Sequence, residues 1–240
     1  MSRSSVTAMA TIEFVTIEVA DTTAANRFYT AAFGLDTLVR LQASEAPTTG
    51  FRGFTMSLGV SQPADVKALI DDALDAGATA LKPAAKSLWG YGGVVQAPDG
   101  TIWTVASSAK KDTGPATRQI DAIVLQLGVA DVAASKRFYV DRGFAVTKSY
   151  GRKYVDFATP SSPITLSLLK RGALAKVAGV APEGTGSHRL VIGSVAGPFT
   201  DPDGFVWMAS TNDNRPLIRE SSTRSEAGPP NRLAQQTETR

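Results

Sequence analysis

Residue types that dominate metal and redox chemistry are nearly missing from this chain. Its 240 residues include no cysteine and a single histidine, His188. The lack of cysteine excludes disulfides, thiolate metal sites and cysteine nucleophiles. A metal site would have to combine His188 with carboxylates or use carboxylates alone. The sequence also has no GxSxG motif and no Walker-type loop, so no local pattern supports a Ser-His-Asp triad or a phosphate-binding loop.

Long apolar runs and dense basic stretches are missing as well. No run of about 18 apolar residues occurs, so we expect no helix that spans a membrane. The first ten residues do not have the apolar core of a signal peptide. The net charge is only +3, and the basic residues of the body are scattered rather than interleaved with aromatics, so we expect no nucleic-acid partner. These absences favour a cytoplasmic protein.

The composition of the chain suits a globular fold. Apolar residues make up 43% and charged residues 20% of the sequence, which is ordinary for a globular protein. The two ends differ from the body. We predict a flexible N-terminus over residues 1–10 and a flexible polar tail over residues 213–240, because these segments have too little apolar surface to offset the entropy lost on ordering.

The sequence repeats itself. The tripeptides VAD and RFY recur 110 residues after their first occurrence, and PDG with the tryptophan that follows it recurs 104 residues later. Signals in the same order at a nearly constant offset indicate an internal duplication. We predict a first domain over residues 11–109 and a second over residues 119–212. A polar linker at residues 110–118, interrupted by a Gly-Pro pair, joins them.

Each repeat opens with a strand and a helix. Apolar side chains alternate over residues 14–19, which predicts a half-buried strand. Asp21 and Asp131 are the predicted N-caps of the helices that follow in the two repeats, and Gly34 and Gly143 are the residues expected to end them.

The first repeat has a second helix. It begins at Pro63 and has a predicted buried face of Val66, Leu69, Ile70 and Leu74. Strands are expected near residues 79–85, 91–96 and 101–107. Strands mixed with helices in this order predict an α+β fold with curved mixed sheets.

Four stretches of the chain resemble the vicinal oxygen chelate superfamily, which includes glyoxalases, extradiol dioxygenases and bleomycin-resistance proteins. They are the openings FVTIEVADTTAANRFYTAAFGL and LQLGVADVAASKRFYVDRGF and the closings WGYGGVVQAPDGTIWTVAS and FTDPDGFVWMAS. The resemblance covers about 200 residues. It implies tandem glyoxalase-like domains built from paired βαβββ modules, whose curved sheets form clefts.

The resemblance also implies positions for a metal site. In metal-dependent members, a His on the first strand, a His or Gln on a strand in mid-domain and a Glu on the last strand hold one divalent ion. The matching positions are Phe14, Thr55 and Thr104 in the first repeat, and Val124, His188 and Met208 in the second. Apart from His188, none of these side chains is a good ligand for such an ion. We therefore expect no metal and no other cofactor.

A cleft with apolar, aromatic and a few polar groups is the expected ligand site. Its predicted lining residues are Phe14, Thr16, Glu18, Thr55, Trp89, Tyr91, Thr104, Gln126, Tyr154, Asp156, His188 and Met208. Trp89 and Tyr91 either stack on a planar ligand or pack on a neighbouring strand. Glu18 is either a cleft residue or a solvated one, and His188 either contacts the ligand or has a structural role.

The two repeats differ in where they carry extra residues. About 45 residues separate Gly143 from His188, enough for three strands and a short helix, whereas the first repeat has room there for little more than one strand and a loop. After the mid-domain strand, only the first repeat has a helix. We infer that the two repeats pair within one chain and that neither is a free-standing domain. The sequence leaves the oligomeric state open.

Three functions are compatible with these features. The first is metal-independent binding or sequestration of a small organic molecule, in the manner of bleomycin-resistance proteins. The second is a glyoxalase-like lyase or dioxygenase-type enzyme with a displaced metal site that uses Glu18, Asp156 and His188. The third is a non-catalytic structural or interaction protein whose cleft is filled. We favour the first and therefore lean against an enzyme, and the identity of the ligand stays open.

Overall fold

The computed structural model describes residues 9–210 except 36, 89, 159 and 160. This part of the chain forms four helices and fifteen strands, and thirteen of those strands belong to one mixed sheet. The predicted α+β fold is therefore confirmed. The predicted flexible ends lie outside the described residues, apart from Met9 and Ala10.

The elements form four modules, A to D. Module A contains β1 (Ile12–Val19), α1 (Thr22–Phe33) and β2 (Val39–Ala43), and the short strand β3 (Thr48–Gly50) follows it. Module B contains β4 (Phe54–Gly59), α2 (Pro63–Asp75), β5 (Thr79–Ser87), β6 (Gly90–Gln96) and β7 (Ile102–Ser107). Module C contains β8 (Ala122–Val129), α3 (Val132–Val140), β9 (Val146–Ser149), β10 (Tyr154–Phe157) and β11 (Ile164–Lys170), and is followed by α4 (Arg171–Ala178) and β12 (Gly184–Gly186). Module D contains β13 (Leu190–Ser194), β14 (Phe199–Thr200) and β15 (Val206–Ala209).

Modules B and C are complete βαβββ units, whereas A and D are shortened. In B and C the first strand pairs in parallel with the last, as β4 does with β7 and β8 with β11. In module A, β1 pairs instead with β2, and module D has no helix between β13 and β15. The three strands and short helix predicted between Gly143 and His188 are β9, β10, β11 and α4, joined by the three-residue strand β12.

The helix ends follow from local sequence. The Asp21 carboxylate accepts hydrogen bonds from the backbone N–H groups of Thr23 and Ala24 at 2.8 and 2.9 Å, and Gly34 ends α1 in the left-handed conformation with φ 62°. Asp131 caps α3 in the same way. Gly143, by contrast, does not end α3, because the helix stops at Val140 and Gly143 closes a following turn by donating to the Val140 carbonyl.

Helix α2 shows one error in the predicted buried face. Val66, Leu69 and Ile70 are buried, but Leu74 is exposed. Ala73 is buried instead, because seven residues after Val66 the helix has turned almost two full times and returns to the same face. None of the described helices has the length and apolarity needed to cross a bilayer.

Strand pairing joins the two repeats into one sheet. Strand β1 of the first repeat pairs antiparallel with β13 of the second, and β4 of the first pairs antiparallel with β8 of the second. On the helical side, packing stays within a repeat. Tyr29 lies 5.5 Å from Trp103, and Tyr139 lies 5.3 Å from Trp207, between ring centroids. The domain bounds 11–109 and 119–212 stay a prediction, since the sheet itself runs through both.

The linker between the repeats is fastened to the first turn of α2. The Gln62 side chain accepts hydrogen bonds from the backbone of Thr113 and Gly114 and donates to the Pro115 carbonyl. Asp65 is fully buried and accepts hydrogen bonds from the backbone N–H groups of Thr117 and Arg118 at 2.5 and 3.0 Å. These bonds fix the path of the chain from module B into module C.

Replacing Asp65 with Asn should weaken this connection. Burial pushes the pKa of Asp65 upward, but the hydrogen bonds from Thr117 and Arg118 outweigh it, so the pKa lies below its ordinary value of 3.8. The carboxylate therefore stabilises the fold above that pH and loses its contribution as the pH falls through its lowered pKa. We expect Asp65→Asn to lower the free energy of unfolding by about 1.5–3 kcal/mol at pH 7, measured by urea denaturation.

Asp75→Asn is the matched control, because Asp75 is exposed at the end of the same helix. We expect its effect to stay within about 0.5 kcal/mol. The difference between wild type and Asp65→Asn should shrink below pH 4. A difference that stays constant down to pH 2.5 would show that the buried charge is not what stabilises the linker.

Candidate functional site

The concave face of the sheet between modules B and C carries a row of short side chains. Ser57 pairs with Thr104 on one side and with Val124 on the other, and Val124 pairs with Thr165. Directly paired residues point to the same face of a sheet. These four partly exposed residues, which we call the central row, therefore form the floor of a cleft across β7, β4, β8 and β11. We call it the B/C cleft.

A second, more polar row lies beside the central row. Thr55 pairs with Gln126, Gln126 with Ser167, and Ser167 with Asp156. The Thr55 hydroxyl donates to Gln126 Oε1 at 3.0 Å, and the Ser167 hydroxyl donates to Asp156 Oδ1 at 2.5 Å. We call these four residues the polar row.

Tyr154 extends the polar row on β10. Its hydroxyl donates to Asp156 Oδ1, the same oxygen that Ser167 contacts. Burial, reinforced by this hydrogen bond to Asp156, raises the pKa of Tyr154 to about 12. The phenol therefore stays protonated near neutral pH and holds the carboxylate in one orientation.

Helix α4 lies across one end of the B/C cleft. Its apolar face, Leu174, Ala175 and Ala178, packs with Phe51, Val94 and Ile102 of module B and its entry loop. Gly128 allows this close approach, since a Cβ atom there would lie 3.0 Å from both the Gly53 carbonyl and the Arg171 Cα. At the far end, Lys82 Nζ donates to the carbonyls of Lys176 and Val177 at 2.6 Å. The cleft is thus closed on the α4 side, while the central row stays partly exposed.

The corresponding A/D cleft, on the concave face of β1 and β13, is blocked by a ring. Phe14 pairs with Gly193, and a Cβ atom on Gly193 would overlap the Phe14 ring. The Arg40 guanidinium covers the same ring, with its Cζ atom 3.4 Å from the ring centroid. Thr16 on the same strand is buried.

Met208 lies on the strand next to Gly193, in the A/D cleft, and 44% of its surface is exposed. It is therefore not a core residue. Glu18, on β1, is partly exposed. Neither residue is part of the B/C cleft.

His188 has a structural environment. Its ring stacks on Phe205, with 3.9 Å between centroids. Nδ1 contacts the Arg52 carbonyl and Nε2 lies 3.1 Å from the Asp203 carbonyl. Both ring nitrogens therefore face backbone oxygens, which connects the loop before β4 to the turn before β15. This arrangement favours the structural interpretation of His188.

Tyr91 does not contribute to the described cleft. Tyr91 lies on the opposite face of β6 and lines an open groove of about 730 Å³, formed with α2 and the linker. Trp89 lies outside the described residues.

The structure thus gathers five of the predicted site residues in one cleft. They are Thr55, Thr104, Gln126, Tyr154 and Asp156. Sequence reasoning missed Ser57, Thr165 and Ser167. Side chains alternate between the two faces of the sheet along FTMSLG and ITLSLLK. This alternation puts Ser57, Thr165 and Ser167 on the same face as the predicted site residues, so it could have identified them.

The residues present do not fit the divalent ion that the resemblance implies. Over the described part of the chain, no group of three His, Asp or Glu side chains is close enough to hold a metal. The central row offers two threonine hydroxyls, a serine hydroxyl and a valine, none of which is a strong ligand for such an ion. The matching positions are also regrouped, because Val124 lies in the B/C cleft and Met208 in the A/D cleft.

Several solved structures share this fold. No protein-family model matches the chain, and no curated protein is significantly similar to it. Glyoxalase I from Zea mays superposes with a TM-score of 0.54 at 15% identity, over 82% of this chain and 91% of that one. Its V278E mutant gives 0.53 at 16% identity over the same shares. A putative dioxygenase from Bacillus subtilis gives 0.50 at 10% identity, over 76% of this chain and 69% of that one. The chain therefore shares the fold of these glyoxalase and dioxygenase structures, which is the fold that the sequence resemblance implied.

The central row can be tested by building a metal site on it. The triple variant Thr104→Glu, Ser57→His, Val124→His places three ligands on adjacent strands, about 5 Å apart. We expect it to bind one Ni²⁺ per chain, measured by isothermal titration calorimetry on protein whose fold is checked by NMR. The control is Met208→Glu with Val124→His and the native His188. It should not bind, because those three residues lie in different places. Equal binding by both variants would contradict the strand register.

The contact of Lys82 with α4 can be tested separately. Lys82→Met keeps the apolar stem but leaves two carbonyls at the helix C-terminus without their donor. We expect amide hydrogen exchange in α4 to become about tenfold faster, which corresponds to about 1.4 kcal/mol of lost local stability. Lys86→Met on the same strand is the control. Unchanged exchange in Lys82→Met would show that apolar packing alone holds α4 in place.

Proposed function

We propose that this protein binds a small organic molecule in the B/C cleft without a metal ion. The observation that carries the proposal is Thr104, whose hydroxyl is buried and has no hydrogen-bond partner among the described residues. A buried hydroxyl without a partner costs about 1–3 kcal/mol. A ligand could supply the missing hydrogen bond and recover that free energy if the Thr104 side chain rotates to present its hydroxyl to the cleft, because the hydroxyl itself exposes almost no surface.

Other groups in the same cleft support the proposal. Gln126 Oε1 is engaged by Thr55, so its amide nitrogen is the group left to contact a ligand. Val94 pairs with Thr104 on the same face, and α4 covers Val94 and Ile102, so the apolar side chain left open in the central row is Val124. A cleft with apolar walls and a few oriented polar groups is the usual form of a small-molecule site.

A structural role without a ligand is the second candidate. Two observations favour it, namely the packing of α4 on Phe51, Val94 and Ile102 and the ring of Phe14 over Gly193. The enzyme hypothesis with a displaced metal site has no comparable support, because Glu18, Asp156 and His188 do not form a group that could hold a metal ion within the described part of the chain. A cytoplasmic location, with no nucleic-acid or membrane partner, stays part of the proposal.

Filling the cleft should abolish binding. A fragment library screened by thermal shift should yield compounds that raise the Tm of the wild type by about 5–10 °C at a concentration near 100 times Kd. Thr104→Phe places a ring on the central row and should lower the affinity for these compounds at least tenfold. The measurement is the Kd from NMR titration.

Met208→Phe is the matched control, because Met208 occupies the position equivalent to Thr104 in the other repeat and lies in the A/D cleft. It should leave the affinity unchanged. If no compound stabilises the protein, the structural role is favoured. If Thr104→Phe binds as well as the wild type, the ligand site lies elsewhere.

A further inference from the structure

We propose that the ligand of the B/C cleft carries a protonated amine or guanidinium group that binds Asp156. This inference rests on the proposed function and names the chemical class of the ligand. Asp156 is partly exposed on the cleft side of β10, since its neighbours Val155 and Phe157 are buried on the opposite face.

The two oxygens of Asp156 have different roles. Oδ1 accepts the hydroxyl protons of Ser167 and Tyr154, which fixes the plane of the carboxylate. Oδ2 has no hydrogen-bond partner among the described residues. It is not one of their fully buried side-chain atoms, so it exposes some surface. An ionised carboxylate can only accept hydrogen bonds. The group that contacts Oδ2 must therefore be a donor.

No described cation forms an ion pair with this carboxylate. Lys148 pairs with Asp156 across β9 and β10, but its Nζ lies 5.7 Å from the Tyr150 ring centroid and forms no ion pair with Asp156 in the described structure. Arg152 pairs instead with Asp131 at 3.6 Å. A partly buried carboxylate with a preset orientation and no ion-pair partner favours a positively charged ligand group, because opposite charges attract each other more strongly at a partly desolvated site than in bulk water.

The rest of the cleft suggests where the body of this ligand lies. Gln126 is two strands from Asp156, about 10 Å across the sheet. Val124, in the central row, lies two residues from Gln126 on β8 and offers an apolar contact. The structure thus favours an organic amine with an apolar body and a hydrogen-bond acceptor that reaches the Gln126 amide.

Three probes of equal shape and different charge test this proposal. They are 2-naphthylmethylamine, 2-naphthalenemethanol and 2-naphthoate, titrated into the full chain and followed by two-dimensional NMR. The amine should bind at least tenfold more tightly than the alcohol, and the carboxylate should bind more weakly than both. The largest chemical-shift changes from the amine should fall on Asp156, Ser167 and Gln126.

Variants separate the charge from the fold. Asp156→Asn should lower the affinity for the amine about tenfold and change the affinity for the alcohol less than threefold. Asp75→Asn removes the same charge far from the cleft and should change neither. The double variant Tyr154→Phe, Ser167→Ala keeps the carboxylate but removes the two hydroxyls that orient it. The amine should still bind more tightly than the alcohol, by a smaller factor than in the wild type. If Asp156→Asn fails to fold, this reduced preference and the wild-type shift map decide the matter.

The possible failures are distinguishable. If the alcohol binds in the cleft as tightly as the amine, or if Asp156→Asn leaves the affinity for the amine unchanged, the cationic ligand is wrong while cleft binding stands. Shift changes from the amine that centre away from Asp156 also overturn the assignment. If none of the three probes gives saturable shifts in the cleft, both this inference and the proposed function fail.

Discussion

The antiparallel pairing of β4 with β8 is the interaction on which the B/C cleft depends. Six residue pairs, from Phe54 with Leu127 to Gly59 with Ala122, join the first strand of module B to the first strand of module C. Because each of these strands also pairs with the last strand of its own module, the central and polar rows cross from one repeat to the other without interruption. A shift of one residue in this register would turn both rows toward the helices and destroy the cleft. The same kind of pairing, between β1 and β13, aligns Phe14 with Gly193 and closes the A/D cleft.

Packing on the helical side holds each repeat together, and it also shows how the repeats diverged. In the first repeat the Tyr29 hydroxyl donates to Asp99 at 2.7 Å, beside Trp103. In the second, Tyr139 donates to Asp201 rather than to Asp203, the residue equivalent to Asp99. Asp203 instead accepts from the backbone of Ala130 and the hydroxyl of Ser135. Helices α1 and α3 therefore pack within their own repeat, whereas α4 packs on module B of the other repeat. Strands pair both within and between the repeats, so the two repeats share one sheet.

The sequence was a good guide to elements and a partial guide to the site. Caps such as Asp21 and Asp131 could be predicted because a cap needs only the next three residues. Asp156 could be predicted as a cleft residue because strand alternation is local. Thr104 could be predicted because the family resemblance places it at the ligand position of the last strand. Tyr91 was placed in the cleft although it faces α2, because a glycine-rich strand gives no apolar alternation from which to read its face. The assignment of Val124 and Met208 to one metal-site position set failed for another reason. It assumed that each repeat forms its own cleft, whereas the two residues lie in different clefts.

What the sequence alone determined is the helix N-caps and the alternating strands that mark the fold class, because each follows from residues a few positions apart. What only the tertiary structure decided is which side chains meet. Thr55 and Gln126 are 71 residues apart, and His188 and Arg52 are 136 apart. Contacts at such separations depend on which strands pair and in which register. That choice is made by burying the apolar faces of all four modules together, so it is a property of the whole fold rather than of any short segment.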